Sequence, residues 1–246
     1  MSRPNVLFAH ERRSVARAVQ RVLSITGFDV EHVSNGQAAR DRLAAQRFEA
    51  LVVDVALPGI PGYELCAQAK APGEAARAKV VVLVASVYRR TSYKRRPTRL
   101  YGADDYVEIH HLCDSLPEKL LSHLSLSLSP PSEEDQERAR EALRVEGDAR
   151  MDESGQDVLA NLIVADMVLY NGDAIFAANS LADAARAIEG DLDIARQLYA
   201  QVEQAEGKSP DGGADAPDPI GRAFAELMVQ MGRAKPGEIL QPGRAP

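Results

Sequence analysis

A short apolar run that ends on a single acidic residue constrains the fold of this chain more than any other feature. Residues 51–53 are Leu-Val-Val, Asp54 follows them, and the turn formers of residues 58–62 come soon after. Such a β-branched run predicts a strand buried on both faces, as in a parallel sheet. The carboxyl ends of such strands carry the chemistry of open α/β sheets, so Asp54 is the first candidate functional residue. The alternative is an aspartate that only caps a turn.

The first half of the sequence alternates between strand and helix patterns. Strand patterns occur at residues 6–9, 28–33, 50–55, 80–85 and 104–107. Helical spacing of apolar residues separates the first four strand patterns, and another helical pattern follows the fifth. Five strands in this arrangement predict a flavodoxin-like, doubly wound parallel sheet of the α/β class.

The composition changes after a Ser- and Pro-containing stretch at residues 127–132, which we interpret as a linker. We expect one domain at residues 1–126 and a smaller all-α module at residues 133–234. Gly, Asp and Pro dominate near residues 207–218, which predicts a mobile segment, and we expect residues 235–246 to be a disordered tail.

Charge is divided unevenly between the two parts. The N-terminal 131 residues contain 18 Lys/Arg and 13 Asp/Glu, a net charge of +5, whereas the remaining residues contain 11 and 23, a net charge of −12. This asymmetry indicates two modules. No secretory leader or membrane-spanning run is recognisable, and the two cysteines do not indicate a disulfide framework. We therefore expect a cytoplasmic protein.

Two motifs resemble those of response-regulator receiver domains. They are residues 53–62, Val-Asp-Val-Ala-Leu-Pro-Gly-Ile-Pro-Gly, and residues 102–107, Gly-Ala-Asp-Asp-Tyr-Val. The resemblance implies bacterial two-component signalling, in which a histidine kinase or phosphorelay transfers a phosphoryl group to an aspartate. Asp54 matches that phosphoacceptor, and Tyr106 matches the family's switch aromatic. The C-terminal helical module shows no comparable motif.

Other positions depart from the family pattern, so the resemblance implies a degenerate pocket. The family's acidic pair after the first strand, which holds Mg²⁺, is aligned through Glu11 with Ala9 and His10. Val84 stands where the family has Thr or Ser, and Ile109 stands where it has the phosphate-pairing lysine. A phosphoryl transition state needs such cationic and hydroxyl partners.

These departures favour a pseudo-receiver, an atypical response regulator that works as a non-enzymatic protein-interaction or scaffold module without phosphorylation. The alternative is a genuine phosphoacceptor regulator that uses Asp54 and binds Mg²⁺ only when it is phosphorylated. No P-loop, nucleophile elbow or Cys/His dyad indicates an enzyme, and we expect no other cofactor. The expected partners are signalling proteins.

A basic segment lies between the fourth and fifth strands. Its cations are Arg89, Arg90, Lys94, Arg95, Arg96 and Arg99, with tyrosines interleaved. We interpret it as a docking surface for acidic protein, including the chain's own acidic helical module. Because basic residues with aromatics also suit phosphate backbones, a nucleic-acid-binding regulator is a further alternative. The acidic pI of about 5.3 argues against it.

A transition-metal site is one more alternative. His10, Asp54 and His110 follow strands whose carboxyl ends share one sheet edge, and imidazole and carboxylate both suit such metals. The competing interpretation is that they are loop residues, and no paired-ligand spacing supports a metal site.

Overall fold

The computed structural model describes residues 3–70, 77–85, 97, 99–143, 158–205, 218–238 and 240. Its contacts divide the chain into two compact units. The first, the receiver unit, contains Met1–Tyr88 and Leu100–Asp148. The second, the helical unit, contains Arg89–Arg99 and Ala149–Pro246. In the described parts of the chain, no helix is both long enough and apolar enough to span a bilayer.

Five parallel strands form the sheet of the receiver unit. They are β1 (Asn5–Ala9), β2 (Asp29–Val33), β3 (Phe48–Asp54), β4 (Ala78–Ala85) and β5 (Asp105–Glu108). The order across the sheet is β2-β1-β3-β4-β5, which is the flavodoxin-like order. The central strand β3 is buried at every position except Glu49, as its apolar run predicts. The predicted fold class is confirmed.

Five described helices belong to the same unit as this sheet, and local sequence features mark where two of them begin or end. They are α1 (Arg13–Thr26), α2 (Gly36–Ala45), α3 (Gly62–Ala69), α4 (Leu112–His123) and α5 (Glu133–Leu143). The Asn35 side chain caps α2 by accepting a hydrogen bond from the Ala38 amide at 2.8 Å. Gly27 ends α1 with φ at 110°, a left-handed conformation that glycine adopts without strain. Most of the segment between β4 and β5, which includes the basic segment, lies outside the described residues.

Helix α5 packs on the receiver unit, although the predicted division placed it in the helical module. It lies against α1 and α4, and its Ala139 is fully buried in the same apolar cluster as the inner face of α1. Arg140 of α5 faces Asp114 of α4, with Nε 3.5 Å from Oδ1. Pro131, in the predicted linker, is also buried. The boundary between the two compact units therefore falls after α5, because this helix packs on one side of α1.

The helical unit contains five described helices. They are α6 (Val158–Tyr170), α7 (Gly172–Ala177), α8 (Leu181–Ala187), α9 (Glu189–Ala205) and α10 (Pro219–Gln230). Helix α6 packs against α9 and α10, and its Asp166 is fully buried. Most of the predicted mobile segment near residues 207–218 lies outside the described residues, as do residues 241–246 of the predicted tail.

Both cysteines belong to the receiver unit. Cys66 in α3 and Cys113 in α4 are free and buried. Burial raises the pKa of each thiol to about 12. Neither sulfur is therefore a thiolate at neutral pH, and both side chains pack as small apolar groups.

The packing of α5 predicts how far the receiver unit extends. A fragment of residues 1–126 lacks α5 and should melt at least several degrees below a fragment of residues 1–148, because the flank of α1 beneath Ala139 becomes exposed. Thermal unfolding followed by circular dichroism measures this difference. Equal melting temperatures would show that α5 adds nothing to the receiver core and would favour the division at residues 127–132.

Candidate functional site

Asp54 is the last residue of β3 and lies at the edge of the sheet where parallel strands end. Its register partner on β4 is Val84, and its neighbour Val53 is in register with Ala9, the last residue of β1. The Asp54 side chain is almost fully buried, at 3% exposure. Its Oδ1 accepts a hydrogen bond from the Ala56 amide at 3.1 Å. The candidate phosphoacceptor is thus held between two strand ends.

His10 occupies the space beside this carboxylate. It follows β1 directly, is 1% exposed, and places Nε2 3.5 Å from Asp54 Oδ2. Its Nδ1 accepts a hydrogen bond from the Arg12 amide at 3.1 Å. Because Nδ1 accepts, the ring proton of a neutral His10 is on Nε2 and faces Asp54. The contact is long for a hydrogen bond, so its main effect is electrostatic.

The backbone and the ring of His10 are both fixed by neighbours. The His10 amide donates to the Val33 carbonyl at 3.0 Å, and the His10 carbonyl lies 2.8 Å from His32 Nε2. The Phe8 ring stacks on the imidazole, with ring centroids 5.8 Å apart and planes inclined at 24°. These contacts leave His10 little freedom to move away from Asp54.

The two positions that the resemblance assigns to the acidic pair lie at the end of β1. Ala9 is the last residue of β1 and is fully buried, and His10 follows it directly. Neither side chain carries a carboxylate, whereas Glu11, the next residue, is partly exposed.

Val84 and Ile109 are apolar and buried at the other two pocket positions. Val84 is 0% exposed within β4, and Ile109 is 2% exposed at the start of the short 3-10 turn Ile109–His111 that follows β5. Both belong to the main apolar cluster. Neither side chain can donate to a phosphoryl oxygen. In the part of the chain that is described, their contribution to this site is packing.

The switch-aromatic candidate Tyr106 lies on β5 beside a charged cluster. Lys119 Nζ of α4 is 5.9 Å from the centre of the Tyr106 ring and 2.8 Å from Asp105 Oδ2. His123 Nε2 is 3.1 Å from the same Asp105 oxygen. Burial opposes the charge of Asp105, but hydrogen bonds from Lys119, His123 and the Tyr106 amide outweigh it and lower the Asp105 pKa.

His110 does not join His10 and Asp54 in a metal site. Its Nε2 lies 3.2 Å from Glu108 Oε2, and its ring lies 4.2 Å, centre to centre, from the His111 ring. Within the described ranges, no three His, Cys, Asp or Glu side chains form a group that could hold a metal ion. The described residues thus do not assemble the metal site considered from the sequence.

Most of the predicted docking surface lies outside the described residues. This applies to Arg89, Arg90, Lys94, Arg95 and Arg96. Arg99 is described, and its Nε donates to Asp173 Oδ1 of α7 at 3.1 Å within the helical unit. Residues 133–137, the start of the predicted acidic helical module, belong to the receiver unit.

Sequence reasoning placed His10 and Asp54 at one sheet edge, and the structure brings the two side chains into direct contact. The strand register, in which Ala9 pairs with Val53, accounts for that contact. Sequence reasoning missed the close approach of Gly62 to the site. A Cβ on Gly62 would lie 2.3 Å from the Asp54 carbonyl oxygen, so α3 can begin here only with glycine.

The receiver unit is an α/β domain with a flavodoxin-like fold and an aspartate at the end of its central strand. The family description "Response regulator receiver domain" matches residues 6–110. These residues are a response regulator receiver domain.

Known proteins similar to this chain include the Response regulator MprA of Mycobacterium avium and of Mycobacterium tuberculosis. Each is 36% identical over 103 residues, a match that covers 42% of this chain and 42% of the relative. Among solved structures, the receiver domain of a signal transduction histidine kinase from Syntrophus aciditrophicus is 26% identical. It covers 53% of this chain and 98% of its own, with a TM-score of 0.40. The chain thus spans less than half the length of the two MprA proteins.

The tight approach of Gly62 gives a test of the site's packing. Gly62→Ala should destabilise the protein by roughly 1–3 kcal/mol, because the new methyl group must displace the Asp54 backbone. Gly190→Ala is the matched control, since a Cβ at Gly190 in α9 meets nothing within 4 Å and should be neutral or slightly stabilising. Urea unfolding of both variants checks the difference, and a neutral Gly62→Ala would contradict the described contact.

Proposed function

We propose that this protein is an atypical response regulator of two-component-type signalling that works through protein contacts without phosphorylation of Asp54. The observation that carries the proposal is the buried imidazole of His10, whose Nε2 lies 3.5 Å from the Asp54 carboxylate. His10 stands at one of the two positions where the family resemblance implies a Mg²⁺-binding acidic pair. Imidazole is a poor ligand for Mg²⁺, which prefers oxygen.

The chemistry of phosphoryl transfer supports this proposal. Negative charge spreads over three oxygens in the transition state, and metal ions and fixed donors stabilise it. At the pocket positions Val84 and Ile109 offer buried hydrocarbon instead of a hydroxyl and an ammonium group. Loss of one such donor typically costs about 3–4 kcal/mol of transition-state stabilisation. Loss of two donors and a metal ligand together therefore makes phosphorylation at Asp54 very slow.

The second candidate function is a phosphoacceptor regulator, and two observations favour it. Asp54, which matches the family's phosphoacceptor, stands at the end of β3, and a carboxylate oxygen is a ligand type that Mg²⁺ prefers. The Ala56 amide donates to Asp54 Oδ1, which helps to fix the orientation of the carboxylate. In this alternative, Mg²⁺ binds together with the phosphoryl group, and a histidine kinase is the phosphoryl donor.

The proposed partners are signalling proteins in the cytoplasm, and we assign the protein no catalytic role of its own. The net charge of −12 after residue 131 favours basic protein surfaces as partners of that part of the chain. A nucleic-acid-binding role for the basic segment remains the further alternative. It draws support only from the cations of residues 89–99.

Beryllofluoride with Mg²⁺ mimics a phosphoryl group and therefore tests the proposal directly. Amide chemical shifts of the full chain should show no saturable change around Asp54 at millimolar Mg²⁺, because His10 supplies no oxygen ligand and Val84 and Ile109 supply no donors.

A gain-of-function variant provides the positive control. Four changes together, Ala9→Asp, His10→Asp, Val84→Thr and Ile109→Lys, should restore saturable binding. Each change alone should restore little, because these groups act as a unit. Saturable shifts centred on Asp54 in the unmodified protein would overturn the proposal and support the phosphoacceptor alternative.

A further inference from the structure

Four exposed side chains of the receiver unit form a row along α1, which we call the α1 row. They follow one another at intervals of four residues, so each is the neighbour of the next on the helix surface. They are Arg13, Arg17, Arg21 and Ile25. Residues 12–28 contain no acidic side chain, and Ile25 is 49% exposed. The α1 row is therefore cationic along most of its length and apolar at its C-terminal end.

Helix α5 of the same unit carries a second row, the α5 row, with the opposite charge. It begins with Leu128, which is 40% exposed and precedes the helix. Exposed carboxylates follow at intervals of four residues, namely Glu133, Glu137 and Glu141. Along the chain the α1 row has three cations and then an apolar side chain, whereas the α5 row has an apolar side chain and then three carboxylates. Laid antiparallel, the two rows match in charge and in hydrophobicity at every position.

The α5 row points away from the α1 helix of its own chain. Helix α5 packs on α1 with its fully buried Ala139, and Glu137 lies two residues earlier, on nearly the opposite face of α5. The described ion pairs of α5 lie within this helix or join it to α4. Arg140, for example, contacts Glu137 at 3.2 Å and Asp114 at 3.5 Å. The α5 row thus presents its carboxylates outward.

We infer that this face of the receiver unit is a homodimer interface, in which the α1 row of one copy pairs with the α5 row of a second copy. Each copy supplies one row of each charge, so a two-fold axis repeats the pairing and makes the interface isologous. Forked arginine donors suit carboxylates, and Ile25 of one copy covers Leu128 of the other. This inference uses only the receiver unit and does not depend on whether Asp54 accepts a phosphoryl group.

The size of the face sets the expected strength of the dimer. Helices of 14 and 11 residues are about 21 Å and about 16 Å long, and packed helices lie about 10 Å apart. Together they offer about 400 Å² per copy, which is below the area of a standard interface. Exposed ion pairs are also individually weak. We therefore expect a reversible dimer with a dissociation constant in the micromolar range.

Sedimentation equilibrium of the full chain tests the dimer and its dependence on salt. The protein should be a monomer–dimer mixture at micromolar concentration and low salt. The dissociation constant should rise at least tenfold between about 0.05 M and about 0.5 M ionic strength, because salt screens the ion pairs. A full chain that stays monomeric at low salt up to about 0.5 mM, or a dimer that salt does not weaken, would overturn the inference.

Charge reversal of each row identifies the surface. Arg13→Glu with Arg21→Glu reverses the α1 row, and Glu133→Arg with Glu141→Arg reverses the α5 row. Each double variant alone should dimerise at least tenfold more weakly, because like charges then face each other. An equimolar mixture of the two should dimerise again, because a reversed α1 row meets a reversed α5 row at one of the two repeated contacts and native rows meet at the other. Recovery in the mixture also shows that both variants are folded.

Arg40→Glu with Arg47→Glu is the matched control for net charge. Both residues are exposed at or just after α2 of the same unit, and the change in charge equals that of the reversed α1 row. This variant should dimerise as the unmodified protein does. The inference fails if the control loses the dimer equally, if either reversed row leaves the dimer intact, or if the mixture does not recover it.

Discussion

The parallel register of β1 against β3 is the constraint on which the rest of the site depends. Because Ala9 pairs with Val53, the residue after β1 must lie next to the residue after Val53. In this sequence those two residues are His10 and Asp54. Their side chains are both buried, so each must find its electrostatic partner within the protein. The Asp54 carboxylate therefore lies in a buried polar contact with His10.

That contact is consistent with every other change around the pocket. A carboxylate that binds Mg²⁺ beside a lysine needs polar side chains around it. A carboxylate beside an imidazole can instead be surrounded by apolar side chains. Val84 and Ile109 are buried in the main apolar cluster, and the cluster continues into α4. The side chains of Val84 and Ile109 thus pack as part of the core.

Much of the fold could be predicted from the sequence. The β-branched runs at residues 50–55 and 80–85 predicted buried parallel strands because their pattern is local, and β3 and β4 confirm them. The packing of α5 on α1 could not be predicted in this way, because the contact involves the small side chain of Ala139, which carries little signal. Asp54 and Tyr106 were placed correctly at strand positions by their motifs. The shared sheet edge of His10 and Asp54 could also be predicted, whereas the 3.5 Å distance between their side chains needed the register of β1 against β3.

The tautomer of the His10 ring tests the central claim most directly. Since Nδ1 accepts from the Arg12 amide, we expect Nε2, which faces Asp54, to carry the ring proton. Nitrogen-15 NMR of the histidine rings in the full chain distinguishes the two ring nitrogens, and Asp54→Asn identifies the signal that senses the carboxylate. A protonated Nε2 whose shift changes in Asp54→Asn is the expected result. A His10 ring with its proton on Nδ1, or one that does not respond to Asp54→Asn, would contradict the account.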